Sequence, residues 1–126
     1  MKLHLNSASG ANLISGYDAD HVLINGRRHE RSLLLLPETL QPDWPVVDFE
    51  ALLETDFTAL AELQPEIILV AVSGRQPMPK PRLYARLLAR GIGVEVMELG
   101  AACRTYNILV SEGRRALLAI ILPSRD

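Results

Sequence analysis

The chain has 126 residues, 48% of them hydrophobic and 22% charged, which suits one globular domain and leaves too little length for two. Thirteen Lys and Arg against fifteen Asp and Glu give a formal charge of −2, so a dedicated nucleic-acid binder is not expected. A single cysteine excludes an intrachain disulfide and a Cys-rich zinc site, and no apolar run approaches the roughly 18 residues of a membrane helix. The opening MKLHLNSASG lacks the apolar core of a signal peptide, so a cytoplasmic protein is expected.

Residues 1–10 read as a loose arm. Residues 13–17 and 21–24 read as strands, with Asp18-Ala19-Asp20 as the turn between them. Asn25-Gly26 tolerates the positive φ of a type I′ hairpin turn, and residues 27–36 then return as one longer strand that Pro37 ends. Residues 39–45 read as loop, Val46-Val47 as a short edge strand, and Asp56 as the cap of a helix through Leu63 with Phe57, Leu60 and Ala61 on its apolar face.

Residues 67–72 are six consecutive apolar residues, four of them β-branched, the pattern of a strand buried on both faces. Ser73-Gly74-Arg75 leaves that strand. A Pro-rich loop leads to a helix opened by Pro81, with Leu83, Leu87 and Leu88 as its stripe. Gly91 and Gly93 bracket the exit into a strand ending near Met97, completing a strand–helix–strand unit. Gly100 opens a last helix over residues 101–112, with Ala102, Cys103, Tyr106, Leu109 and Val110 on one side and Asn107 at its border. Gly113 stops that helix, and residues 115–122 form the final strand. The order predicts an α/β domain with the N-terminal hairpins packed beside or beneath an α/β core.

Open α/β sheets take ligands beyond the C-terminal ends of their parallel strands, which singles out Ser73, Gly74 and Arg75. Arg104 and Asn107, three apart on the last helix, are neighbours at the same end. Arg75, Arg104 and the unpaired N–H groups of that helix could converge on an acidic side chain or an anionic ligand. The structural alternative pairs Arg104 with Glu98 or Glu112 and uses Asn107 to tie a loop carbonyl to the core. Cys103, in the first helical turn beside Arg104, is a weaker candidate. A low thiol pKa there would suit a nucleophile, but its apolar face and the distant positions of His4, His21 and His29 favour packing.

Asp18, Asp20 and His21 match no standard metal spacing, and Glu95, Glu98 and Glu112 form no recognisable acid–base pair. Tyr17 and Trp44 read as partly exposed anchors or local packing. No dinucleotide or phosphate-loop motif is present, so no cofactor is implied.

One larger pattern remains. Ile68-Leu69-Val70-Ala71-Val72-Ser73-Gly74, Gly91-Ile92-Gly93-Val94-Glu95-Val96-Met97, the run Ala101-Ala102-Cys103-Arg104-Thr105-Tyr106-Asn107-Ile108-Leu109 and Ser111-Glu112-Gly113-Arg114 together resemble one family. It is the domain of unknown function shared by small bacterial proteins and mitochondrial NADH:ubiquinone oxidoreductase assembly factor 3. The resemblance implies a three-layer α/β domain spanning 1–126, with a central mixed sheet, flanking helices, an added N-terminal β layer and a final strand antiparallel to the others. It also implies a non-catalytic role with protein partners in respiratory complex I assembly, without carrying over any catalytic residue. Family members often have Gly-Thr-Gly where this chain has Val72-Ser73-Gly74, and losing the first Gly narrows any pocket there. The alternative is a small-molecule binder or enzyme using a pocket near Gly74 and Arg104.

Overall fold

The computed structural model describes residues 10–123, whose strands sort into two sheets. Of the expected N-terminal arm, residues 1–9 lie outside the described residues, as does most of the polar tail. The first sheet is an antiparallel meander of β1 (Ile14–Asp18), β2 (His21–Ile24) and β3 (Arg27–His29). Asn25 (φ 51°) and Gly26 (φ 85°) supply the two left-handed residues that a tight hairpin matching the strand twist requires.

The second sheet has the order β5-β4-β8-β6-β7, built from β4 (Leu33–Leu35), β5 (Leu40–Gln41), β6 (Ile67–Val72), β7 (Gly93–Glu98) and β8 (Ala116–Ile121). β6 runs parallel to both β7 and β8, while β4 runs antiparallel to β5 and β8. The sheet is therefore mixed, as expected, but its final strand is not antiparallel to all the others. β8 runs parallel to β6, because α3 carries the chain back before β8 begins, as in any strand–helix–strand crossover.

Alternation along the central strands divides the core in two. Ile68, Val70, Val72, Leu117, Ala119 and Ile121 point to one face, covered by α1 (Glu54–Ala61) and α2 (Ala85–Ala89) through Phe57, Leu60 and Leu87. Leu69, Ala71, Leu118 and Ile120 point to the other. There they meet Leu99, Ala102, Cys103 and Tyr106 of α3 (Leu99–Ser111), together with Ile14, Val22 and Ile24 of the antiparallel sheet. The crossover from β6 to β7 and the return from β7 to β8 run in opposite directions across the sheet. Right-handed connections then place α2 and α3 on opposite faces.

Several local expectations change. Residues 27–36 are two strands in two sheets, not one. The chain crosses between them at Ser32, whose hydroxyl accepts from Leu122 N–H at 2.9 Å in the interior and whose carbonyl accepts from Trp44 N–H at 3.0 Å. Val46-Val47 forms no strand, and β5 lies inside the expected loop. α1 starts at Glu54. Asp56 sits in its first turn, where its carboxylate accepts the Leu53 N–H at 2.7 Å instead of capping a later start. Beyond Pro81 the chain makes a short 3-10 turn before α2. Leu88 stays 47% exposed, and Tyr84 takes the buried place, tilted against Phe57 with ring centroids 5.2 Å apart.

Candidate functional site at the C-terminal ends of the central strands

β6 ends at Ser73, and Gly74 turns the chain with φ 85°, a conformation costly for a residue with a Cβ. The Ser73 hydroxyl donates to the Ala19 carbonyl, so the β1–β2 turn is tied across the end of the main sheet. A shallow cleft of about 250 Å³ results. Its walls are Tyr17, Asp18 and Ala19 of that turn, Ser73 and Gly74 at the strand exit, and Glu98 and Leu99 where β7 passes into α3.

Glu98, not Gly100, caps α3. Its carboxylate accepts from Gly100 N–H at 3.0 Å and Ala101 N–H at 3.3 Å. The helix end that was expected to offer free N–H groups to an anion is thus neutralised by the chain's own carboxylate. The cleft presents hydroxyl and carboxylate oxygens rather than an anion cradle. Gly100 has a packing role: a Cβ there would lie 2.9 Å from Cε1 of Tyr17. With the ring seated against the bare helix backbone, the Tyr17 hydroxyl accepts from the Arg104 guanidinium.

Arg75 and Arg104 do not converge. Arg104 lies with Tyr17 on the α3 side of the sheet. Arg75 reaches Glu50 at 3.3 Å on the side of Phe49 and α1, beside a second crevice of about 170 Å³ that Ser73 also borders. Lys80 joins Glu50 at 2.5 Å, and its hydrogen bond, then that of Arg75, holds the Glu50 carboxyl below its ordinary range.

Asn107 is engaged on both ends of its amide: Oδ1 accepts from Ile14 N–H at 2.9 Å and Nδ2 donates to the Ile14 carbonyl at 2.8 Å. The side chain thus imitates a neighbouring strand along the outer edge of β1. One helical position earlier, the Tyr106 hydroxyl donates to the Asn12 carbonyl at 3.0 Å. Asn12 in turn donates through Nδ2 to the Leu36 carbonyl at 3.0 Å. Tyr17, Ala19, Glu98 and Asn12 are site and seam residues that spacing alone did not assign to these places. The local signals were a carboxylate just before a helix, a possible cap, and a glycine in a helical turn, a mark of close approach.

Cys103 is fully buried. Desolvation pushes its thiol from an ordinary value near 9.0 up to about 12; Glu98 adds to the rise and Arg104 opposes it. The thiol is therefore protonated at neutral pH and packs as a small apolar group. Because the folded value lies above the unfolded one, its contribution to stability is complete below about pH 9 and is lost as pH climbs towards 12. Stability should fall from pH 9 upward, and Cys103→Ala should flatten that decline while costing about 1 kcal/mol at neutral pH. Iodoacetamide should label the native thiol slowly at pH 7; rapid labelling would contradict this burial.

Residues 14–121 match the family described as "Protein of unknown function (DUF498/DUF598)". The chain is 32% identical over 112 residues to bovine NADH dehydrogenase [ubiquinone] 1 alpha subcomplex assembly factor 3, covering 87% of this chain and 60% of that protein. It therefore spans about 60% of the length of that curated relative. An uncharacterised Rhodobacter capsulatus protein is 33% identical over 115 residues, covering 90% of this chain and 86% of the relative. A Xanthomonas campestris protein solved by NMR superimposes with a TM-score of 0.82 at 35% identity, covering 100% of this chain and 96% of that one. No helix among the described residues is long and apolar enough to cross a membrane.

Proposed function

We propose, because the chain belongs to the protein family of unknown function DUF498/DUF598, that it is a non-catalytic interaction protein acting in the assembly of respiratory complex I. The observation that carries this reading is the kinship with assembly factor 3, which extends over 87% of the chain. The local chemistry supports it. The thiol is buried and protonated, the α3 terminus is capped from within, and Asn107 holds β1 in place. In this reading Ser73, Gly74, Arg75 and Arg104, none of them fully buried, are the residues presented to a partner, and the protein works in the cytoplasm.

Affinity capture from the native cell should recover complex I subunits or assembly intermediates, and removal of the gene should lower assembled complex I while sparing other respiratory enzymes. Arg104→Glu should reduce that recovery while changing unfolding stability by less than roughly 0.5 kcal/mol. Normal complex I levels without the protein would sink the reading. A second reading, a small-molecule binder at the cleft of Tyr17, Ser73 and Glu98, is favoured by that concavity alone. A ligand screen by thermal shift separates the two, since a ligand at 100 times its Kd stabilises by about 2.7 kcal/mol.

A further inference from the structure

Charge is divided unevenly along the chain. Between Glu66 and Glu95 there is no acidic residue, while Arg75, Lys80, Arg82, Arg86 and Arg90 all fall in that stretch. The other eight Lys and Arg and all fifteen Asp and Glu lie outside it. A chain of net charge −2 thus carries +5 here and −7 elsewhere. Arg75 and Lys80 share one carboxylate, Glu50. Arg86 is 84% exposed and reaches Glu54 only at 3.5 Å. Arg82 and Arg90 are exposed and have no ion-pair partner among the described residues.

The helix at the centre of this stretch is amphipathic in an unusual sense. α2 buries Leu87, backed by Tyr84 just before it. At roughly 100° per residue, Leu88, Ala85, Ala89, Arg86 and Arg90 follow in that order around the opposite arc. All five are exposed, so the outer arc is apolar on one flank and cationic on the other. Arg82 precedes Arg86 by four positions, in the 3-10 turn that feeds the helix. Among the described residues five large hydrophobics are exposed, and three belong to this neighbourhood. They are Leu88, Met78 in the Pro-rich loop two residues before Lys80, and Leu53 next to Glu54.

We propose that this face seats the protein on an anionic lipid surface, with α2 in the headgroup plane, Arg82, Arg86 and Arg90 on the lipid phosphates and Leu88 turned into the acyl boundary. Cations alone would suit any polyanion. What selects a bilayer is the exposed apolar flank, which gains by entering the acyl boundary and gains nothing against the phosphates of a nucleic acid. The one aromatic ring of the stretch, Tyr84, is buried and cannot stack on a base. The −7 on the remainder of the chain is repelled by the same surface, so the attachment is oriented. The proposal stands on charge and exposure, independently of the complex I reading, and either can fail without the other.

The test is co-sedimentation of the full chain with vesicles of phosphatidylcholine alone, or of phosphatidylcholine and phosphatidylglycerol in equal parts. The chain should bind the anionic vesicles, release as salt rises, and ignore the neutral ones. Arg82→Glu combined with Arg90→Glu breaks no ion pair in the free protein and should weaken binding about tenfold or more. Should that variant unfold, Arg82→Gln combined with Arg90→Gln should weaken it in the same direction. Leu88→Ser should weaken it several-fold at constant charge, which a purely ionic contact would not. Arg27→Glu combined with Arg31→Glu makes the same charge change on and beside the antiparallel sheet, and should leave binding within about twofold. Equal loss in that control, indifference to the α2 variants, equal binding to neutral vesicles, binding to polyglutamate or single-stranded DNA as tight as to anionic vesicles, or no vesicle binding would each overturn the proposal.

Discussion

Asn107→Ala is expected to lower the unfolding free energy by about 2–4 kcal/mol, because it strips partners from two backbone groups of Ile14, a fully buried residue. Each group would lose its amide partner at a seam that α3 and β1 partly cover. Asn107→Asp tests the geometry further. It keeps an acceptor for the Ile14 N–H but sets a carboxylate oxygen against the Ile14 carbonyl. Desolvation and that repulsion raise the new carboxyl's folded pKa above the unfolded value of about 3.9. The variant should therefore be most stable, relative to the parent, below pH 4, and should lose ground as pH rises through the folded pKa. Urea unfolding at pH 3.5 and pH 7 checks the sign. An alanine variant as stable as the parent would return Asn107 to the list of partner-binding residues.

Leu118→Ala should cost about 3–5 kcal/mol, a large share of the 5–15 kcal/mol that holds an ordinary domain. Leu118 lies on the central strand opposite Leu35 of β4 and Leu69 of β6, and all three are wholly buried. Strands on both sides, hydrogen-bonded to β8, prevent the site from collapsing around the missing atoms, so the cavity term is felt almost in full. The urea midpoint should fall with little change in slope. Ile108→Ala, at a position 58% exposed, serves as the control and should move stability by no more than about 0.5 kcal/mol.

The readability of these features in the amino-acid order follows the range of the interactions that make them. β2, β6 and the turn between β2 and β3 were legible because each is decided within a few residues: six apolar side chains, or two that accept positive φ. The break between β3 and β4 was not. Four leucines after Arg31 look like one strand continuing, and what parts them is Ser32 meeting Leu122, ninety residues away. The same holds at the candidate site. Ser73 and Gly74 follow from the rule that binding concentrates at strand C-terminal ends, whereas their closure by Tyr17 and Ala19 depends on how the hairpin lands. Arg104 could be seen as an exposed cation, but its Tyr17 partner is 87 positions upstream and Glu98, one of its two expected partners, is engaged in capping. Leu88 misled because helical periodicity cannot tell a stripe from its edge when the helix has only five residues.

The position of β8 also sets the order in which the molecule can come into being. Among the described residues it is the last strand to leave the ribosome, yet it sits between β4 and β6, which are joined only through it. Until residues 116–121 emerge, the β4–β5 hairpin has no seat in the sheet, and the apolar flank of β6 that faces β8 stays open. Up to that point the nascent chain carries two unjoined halves, and one long-range insertion joins them. Through that interval the β4 and β6 edges that β8 will cover are open to pairing with another chain.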